Sequence, residues 1–526
     1  MPTLNWIGKD KVITHHQDVP YRVLEHKYGY KDGKQSNKET GSGNMIIHGD
    51  NLEALKALLP KYQGKISCIY IDPPYNTGNE KWVYNDNVND PKIKKWLGEV
   101  VGKEGEDLSR HDKWLCMMYP RLVLLKKLLS DKGVIFISID DNEQGHLRLI
   151  CDEIFGANNF IANIIWQKKY TQSNDAKYLS NTHDFILCYA SKKAVCSFNL
   201  LERIPKQLKA YKNPDNDIRG AWMSQPIQVK TPSEAYMYEI ITPVGKTFYP
   251  PRGRSWQFSK ERYQELVADN RIWFGKDGHN VPRIKTFLSE VKGGVIPKTI
   301  WLHEEVGHND EAKQTIKQIF PDNVFDTPKP ERLIERIIRI ASNEKAIILD
   351  SFAGSGTTAH AILNLNKQDG GNRSFILVEM EDYAETITAE RVKRVINGYA
   401  DVEGTGGAFD YYELGDRLFL DDGNLNEAIG VDKIREYIYF TETQQSITAK
   451  PPKGNEFLLG EAFGTLYYFY YEKDKLTTLS QETLRKIVKK KAEQYVIYAD
   501  VCTLTEEEMS MLNVIFKKIP RDIKRF

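Results

Sequence analysis

Five short apolar runs in this chain end in an acid, and that repetition limits what it can fold into. Met45 to His48 leads through Gly49 to Asp50, Ile66 to Ile71 leads to Asp72, and Val134 to Ile139 leads to Asp140. Ala346 to Leu349 leads to Asp350, and Ser374 to Val378 leads to Glu379. Such runs, rich in Ile and Val, read as strands buried on both faces. Between them apolar residues recur at helix spacing: Leu52, Leu55, Leu58 and Leu59, then Leu115, Met118, Leu122, Leu125 and Leu129. Strands alternating with helices predict an open, largely parallel α/β sheet. In such a sheet ligands bind at the carboxyl ends of strands, so the five acids would line one rim. A core has little use for them. The Met117-Met118 pair reads as core filler.

The second acid opens the run Asp72-Pro73-Pro74-Tyr75. Two prolines fix an extended backbone without an N–H, so the Pro73 carbonyl is held in one direction beside the Asp72 carboxylate. Paired acceptors suit an exocyclic amine such as that of adenine, whose lone pair is delocalised into the ring. Tyr75 presents a flat face on which a base rotated out of a duplex can stack. The chemistry that fits is methylation of such an amine. A second motif follows the fourth strand: Phe352-Ala353-Gly354-Ser355-Gly356 lies between Asp350 and a helix-like stretch from Thr357 to Leu365. Its glycines allow close backbone approach to a ligand, and the helix start offers free N–H groups. Glu379 stands at the distance where nucleotide folds place an acid on ribose hydroxyls. Together these suggest an adenosine-containing cofactor.

With both motifs in hand, the chain resembles the beta class of amino-group DNA methyltransferases, in which the catalytic motif precedes the cofactor motif. The resemblance implies an α/β fold, a permuted Rossmann-like methyltransferase sheet that uses S-adenosylmethionine, with an inserted target-recognition domain and a small α/β C-terminal domain. It implies catalytic roles for Asp72, Pro73, Pro74 and Tyr75. Cofactor contacts would come from Asp50, Asp350, Phe352, Ala353, Gly354, Gly356, Thr357 and Glu379, with Asp50 as a partner of the cofactor's adenine amine. Aspartate rather than serine at position 72 favours adenine N6 over cytosine N4 in that family. Asn163 to Gln167 and Asp184 to Ala190 would form an antiparallel hairpin at the sheet edge, with the polar stretch Thr171 to His183 as a mobile loop over the site. The runs His48 to Leu58, Asp72 to Asn79 and Phe516 to Pro520 look like the modification subunits of type III restriction systems. In those systems two methyltransferase subunits pair, and a separate ATP-driven restriction subunit joins them. This chain has no Gly-rich Lys-Ser/Thr phosphate loop, so an ATPase would be a partner.

At 526 residues the chain exceeds one domain of about 100 to 200 residues. The expected division is an N-terminal arm over 1–40, a catalytic domain over 41–195 and 320–400, a recognition insert over 196–319, and a C-terminal domain over 401–526 for dimer or restriction-subunit contact. In the last, Thr465 to Tyr471 and Tyr495 to Val501 read as strands with a Lys-rich helix between them. Net charge is +1, yet residues 161–300 carry 22 Lys and Arg against 12 Asp and Glu. That basic insert suits double-stranded DNA. Arg252, Arg254, Arg262, Arg271 and Arg283 are its candidates for base or phosphate contact, interleaved with aromatics such as Trp222, Tyr249, Trp256 and Trp273. Lys329-Pro330 opens an amphipathic helix carrying Leu333, Ile334, Ile337 and Ile338.

Six cysteines without a CxxC spacing read as reduced thiols. No apolar run approaches ~20 residues and the N-terminus has no signal-peptide core, so a cytoplasmic location is expected. His303 and His308 are five apart, not the four of a zinc-protease helix, and no metal is expected. Competing readings are a glutamine-amide methyltransferase, opposed by Asp72 and the basic insert, a solitary DNA methyltransferase, and a DNA-reading subunit without catalysis.

Overall fold

The computed structural model describes residues 3–77, 110–172, 176–322, 324–447, 451 and 453–521. The end of the Asp72–Asn79 stretch and the middle of the expected loop Thr171 to His183 lie outside them. Contacts separate two compact units, one of Met1–Phe198 with Lys298–Phe526 and one of Asn199–Pro297.

An eleven-stranded sheet organises the first unit. Its central strands are parallel, in the spatial order Leu129–Ile139, Ile66–Ile71, Ile347–Asp350, Ser374–Glu379, Met45–His48 and Ala408–Arg417. Ile66, Ile69 and Ile71, like Ile348 and Leu349, are fully buried, as strands covered on both faces must be. Helix Asn51–Tyr62 packs on helix Arg110–Leu128, and Glu331–Ala341 packs on Thr357–Asp369. Leu52, Leu55, Leu58, Leu115, Met118, Leu122 and Leu125 all point into one core. The decisive adjacency is that of Ile66–Ile71 with Ile347–Asp350, where Cys68 pairs with Ile348 and Ile69 with Leu349. Both chains therefore leave the sheet at the same edge, and the two motif turns start side by side.

The expected hairpin is present: Phe160–Gln167 runs antiparallel to His183–Ala190, which borders Leu129–Ile139. Its outer side is not the edge, because Ile300–Trp301 adds parallel to it. The first unit thus resumes at Lys298, not at 320; a strand of two residues is too short to show periodicity. Residues 1–40 are not a separate arm either. Arg22–Lys31 pairs antiparallel with Ala408–Arg417, so the segment belongs to the main sheet. Neither strand reads as a buried run, since both lie toward a sheet margin where polar side chains reach water.

Beyond residue 417 a four-stranded sheet orders Leu458–Ala462, Thr465–Phe469, Gln494–Ala499 and Val514–Lys518. The helix between its middle strands, Gln481–Ile487, stops short of the lysines at 489 to 491. It packs within the first unit and does not form a compact unit of its own. The six cysteines are free thiols, four of them buried. Among the described residues no helix is long and apolar enough to cross a membrane.

The second unit has a three-stranded sheet, Ile272–Trp273, Arg283–Phe287 and Trp222–Pro226 in spatial order, with helix Lys260–Ala268. Its core holds Ile227, Ile240, Trp256, Tyr263, Leu266 and Ile272. Trp222 and Trp256 are buried while Tyr249 is exposed, so most of the insert's large aromatics serve packing. Lys285 is fully buried and meets Asp215 and Asp217, a closed internal ion network.

Candidate active site

A cavity of about 260 Å³ opens where the central strands end. One side is made by Asp72, Pro73, Pro74 and Tyr75, the other by Asp350, Phe352, Ala353, Gly354 and Thr357, with Glu379 from the next strand. Asp140 joins them, and Met117 lines the cavity as well as belonging to the core. Two expected contacts, Asp50 and Gly356, are not among the lining residues. Asp50 is occupied as a helix cap: its Oδ1 accepts the N–H groups of Leu52 and Glu53 at 2.8 and 3.1 Å, and Oδ2 meets Arg121 at 3.3 Å. Its neighbour Asn51 reaches the cavity instead. Gly356 starts helix Thr357–Asp369 at φ +81°, and a Cβ there would sit 3.1 Å from the Thr388 carbonyl oxygen.

Carboxylates shape the glycine turn. Asp350 accepts the Phe352 N–H at 3.1 Å and the Thr358 hydroxyl at 2.5 Å. Gly354, at φ +55°, donates its N–H to Glu379 Oε2 at 2.7 Å, and Glu381 donates its N–H to Oε1 at 3.0 Å. Burial pushes both acids up to about 7, against the pull of these hydrogen bonds.

The Asp-Pro-Pro-Tyr turn is braced from behind. Trp114 donates its indole N–H to the Pro74 carbonyl at 2.7 Å. Asn76 takes a left-handed φ of +58° and donates to the Arg110 carbonyl at 3.2 Å and to Glu143. Glu143 is fully buried and holds Nδ1 of His111 at 2.6 Å and of His146 at 2.8 Å. These are also the residues among those described whose ligand atoms lie close enough to hold a metal, within 4.8 Å of one another. Inside the cavity Asp72 Oδ2 accepts from the ammonium of Lys329, which stands 5.1 Å from the Tyr75 ring centroid. Asp72 Oδ1 is buried with no hydrogen-bond donor among the described residues. Asp184, raised by burial and steadied by Lys168, completes that wall. Motif reading missed Lys329, Asp184, Lys168 and Glu143. Lys329 was visible only as a helix opener, and its meeting with Asp72, 257 positions away, depends on the strand adjacency.

The lining tests the cofactor. Asp72, Asp140, Asp184, Asp350, Glu379 and Glu381 face three cations, Arg121, Lys168 and Lys329, and each cation is already engaged by an acid. Acids outnumber cations there, and a cationic ligand would favour the ionised forms of Asp350 and Glu379, whereas the phosphates of a dinucleotide would oppose them. A sulfonium with an α-amino group fits, and Phe352, Met380 and Tyr383 supply apolar surface for it.

Sequence comparison agrees with this geometry. Residues 66–442 match the DNA methylase family of N6 and N4 methyltransferases. The chain belongs to that family. It is similar to the StyLTI Mod subunit, a type III restriction-modification enzyme of Salmonella typhimurium strain LT2: 41% identity over 358 residues, 65% of this chain and 53% of that protein. The EcoPI Mod subunit of Escherichia phage P1 is 32% identical over 72% of this chain and 64% of its own length. The type II methyltransferase M.KpnI of Klebsiella pneumoniae is 33% identical over 64% of this chain and 81% of its own. The chain thus spans between half and two thirds of the Mod subunits it matches. The matched span contains both Asp72–Tyr75 and Phe352–Gly356.

Proposed function

We propose that this protein is a site-specific DNA methyltransferase that moves a methyl group from S-adenosylmethionine to the N6 amine of an adenine flipped out of double-stranded DNA. The observation that carries the reading is the single cavity shared by Asp72–Tyr75, the Asp350–Thr357 turn and Glu379. The cofactor supplies a methyl group already activated by its sulfonium. The protein's part is orientation and charge placement. Asp72 and the Pro73 carbonyl accept the two N–H bonds of the target amine, Pro74 is pinned by Trp114, and Tyr75 stacks the base. Gly354, Ala353 and Thr357 hold the methionine end, Glu379 takes ribose hydroxyls, and Phe352 packs on the adenine.

The basic unit Asn199–Pro297 reads the target sequence in this scheme. Two chains pair, and an ATP-dependent restriction subunit joins them in the cytoplasm as a type III system. A second reading is a methyltransferase that acts outside a type III complex, since the chain is also similar to M.KpnI, a type II methyltransferase. Single-molecule sequencing of DNA from cells with and without the chain tests the proposal. N6-methyladenine in one sequence context is expected. Methyl transfer to protein glutamine, or S-adenosylmethionine bound without transfer to DNA, would overturn it. Co-purification with an ATPase separates the type III reading from the solitary one.

A further inference from the structure

The seat of the acceptor amine already has an amine in it. Lys329 donates from Nζ to Asp72 Oδ2 and faces the Tyr75 ring at 5.1 Å. Those are two of the three contacts, with the Pro73 carbonyl, that the proposed function gives to the target adenine. The lysine is delivered from a fixed root: Pro330 caps helix Glu331–Ala341, whose Leu333, Ile334, Ile337 and Ile338 are fully buried. Its side chain is 12% exposed, so it lies within the cavity instead of reaching out to water. The other lysine on the lining, Lys168, is held by Asp184 instead.

We propose that Lys329 occupies the acceptor seat when no DNA is bound and is there slowly methylated by the enzyme's own cofactor. The inference rests on the reading of the cavity as an S-adenosylmethionine site. The balance is simple. Lys329 sheds one ammonium proton to solvent by way of Asp72, its nitrogen lone pair forms a bond to the methyl carbon, and the carbon–sulfur bond breaks. The products are N-methyl-lysine, S-adenosylhomocysteine and one proton, and no other reactant is needed. A target adenine displaces the lysine and protects it.

The test incubates the full chain with methyl-labelled S-adenosylmethionine and no DNA, followed by peptide mass spectrometry. One added methyl is expected on the peptide containing Lys329 and none on Lys168. DNA carrying the recognised site should suppress it. Asp72→Asn should slow it by about tenfold or more, since the lost acceptor acts on the reacting amine, and Lys329→Met should remove the mark. An enzyme that methylates DNA yet leaves Lys329 unmodified refutes the proposal while leaving the function intact. A label that appears elsewhere, independent of Asp72, refutes it too. Failure to bind S-adenosylmethionine at all defeats both, and calorimetry on the same sample distinguishes that case.

Discussion

Asp72 carries two environments on one carboxylate, an oxygen engaged by Lys329 and an oxygen buried without a donor among the described residues. An acceptor of this kind gains most when the target amine begins to bear positive charge, so its contribution falls in the transition state. Asp72→Ala should therefore keep S-adenosylmethionine affinity within a few-fold, by calorimetry, while methyl transfer to DNA falls by about two orders of magnitude or more. Cofactor binding lost together with activity would contradict that role. Asp350 and Glu379 titrate near 7 because burial favours their neutral forms. The folded state keeps those protons while the unfolded chain releases them near ~4. Stability of the cofactor-free protein should accordingly fall as pH rises from about 4 to 7. A cationic cofactor favours the ionised acids, so its affinity should rise as pH passes through 7, and Glu379→Gln should flatten that rise. Titration calorimetry from pH 6 to 8 checks it, and an affinity indifferent to pH would count against the assignment.

Among the elements, the strand–turn–helix around Gly356 has the least tolerance. A residue with a Cβ there must adopt φ near +81° and approach the Thr388 carbonyl to 3.1 Å. Gly356→Ala should cost about 1–3 kcal/mol from the left-handed backbone alone, read as a lower unfolding midpoint and weaker cofactor binding. Gly370, at the other end of the same helix, also has positive φ but nothing within 4 Å of a Cβ. Gly370→Ala should cost less, and equal losses at both sites would mean that crowding at the turn is irrelevant. The Asp-Pro-Pro-Tyr turn is supported differently, through hydrogen bonds from Trp114 and Asn76, so its shape depends on helix Arg110–Leu128 and buried Glu143.

At the scale of the molecule, the compact unit Asn199–Pro297 is closed near its two ends by a single antiparallel bridge, Leu201 and Val295 exchanging backbone hydrogen bonds at 2.9 and 2.8 Å. Its arginines divide by their partners. Arg262 is paired with Glu265, Arg271 with Asp269 and Glu290, and Arg283 bonds Ser224. Arg252 and Arg254 are exposed with no ion pair among the described residues, so under the proposed function they are the candidates for phosphate contact. Arg252→Ala and Arg254→Ala should each weaken DNA binding across sequences and reduce the salt slope by about one, with no change in S-adenosylmethionine affinity. Arg271→Ala should instead lower the stability of the unit. Fluorescence anisotropy across a salt series separates the two effects.

The parallel sheet, its acidic rim and both motif turns were legible in the chain, because buried strands must be apolar runs and the turns need proline and glycine at fixed places. The helix stripe of Leu333, Ile334, Ile337 and Ile338 was equally plain. Asp50 misled: an acid at a strand end is also the residue that caps the next helix, and spacing does not distinguish the two uses. The margins of the sheet, Arg22–Lys31 and Ile300–Trp301, escaped notice because one mixes polar with apolar residues and the other is two residues long. Lys329 at Asp72, Glu143 behind Asn76, and the sorting of the insert's arginines into paired and exposed were set by tertiary structure. Each depends on which segments of chain become neighbours, and local pattern carries no record of a partner 257 positions away.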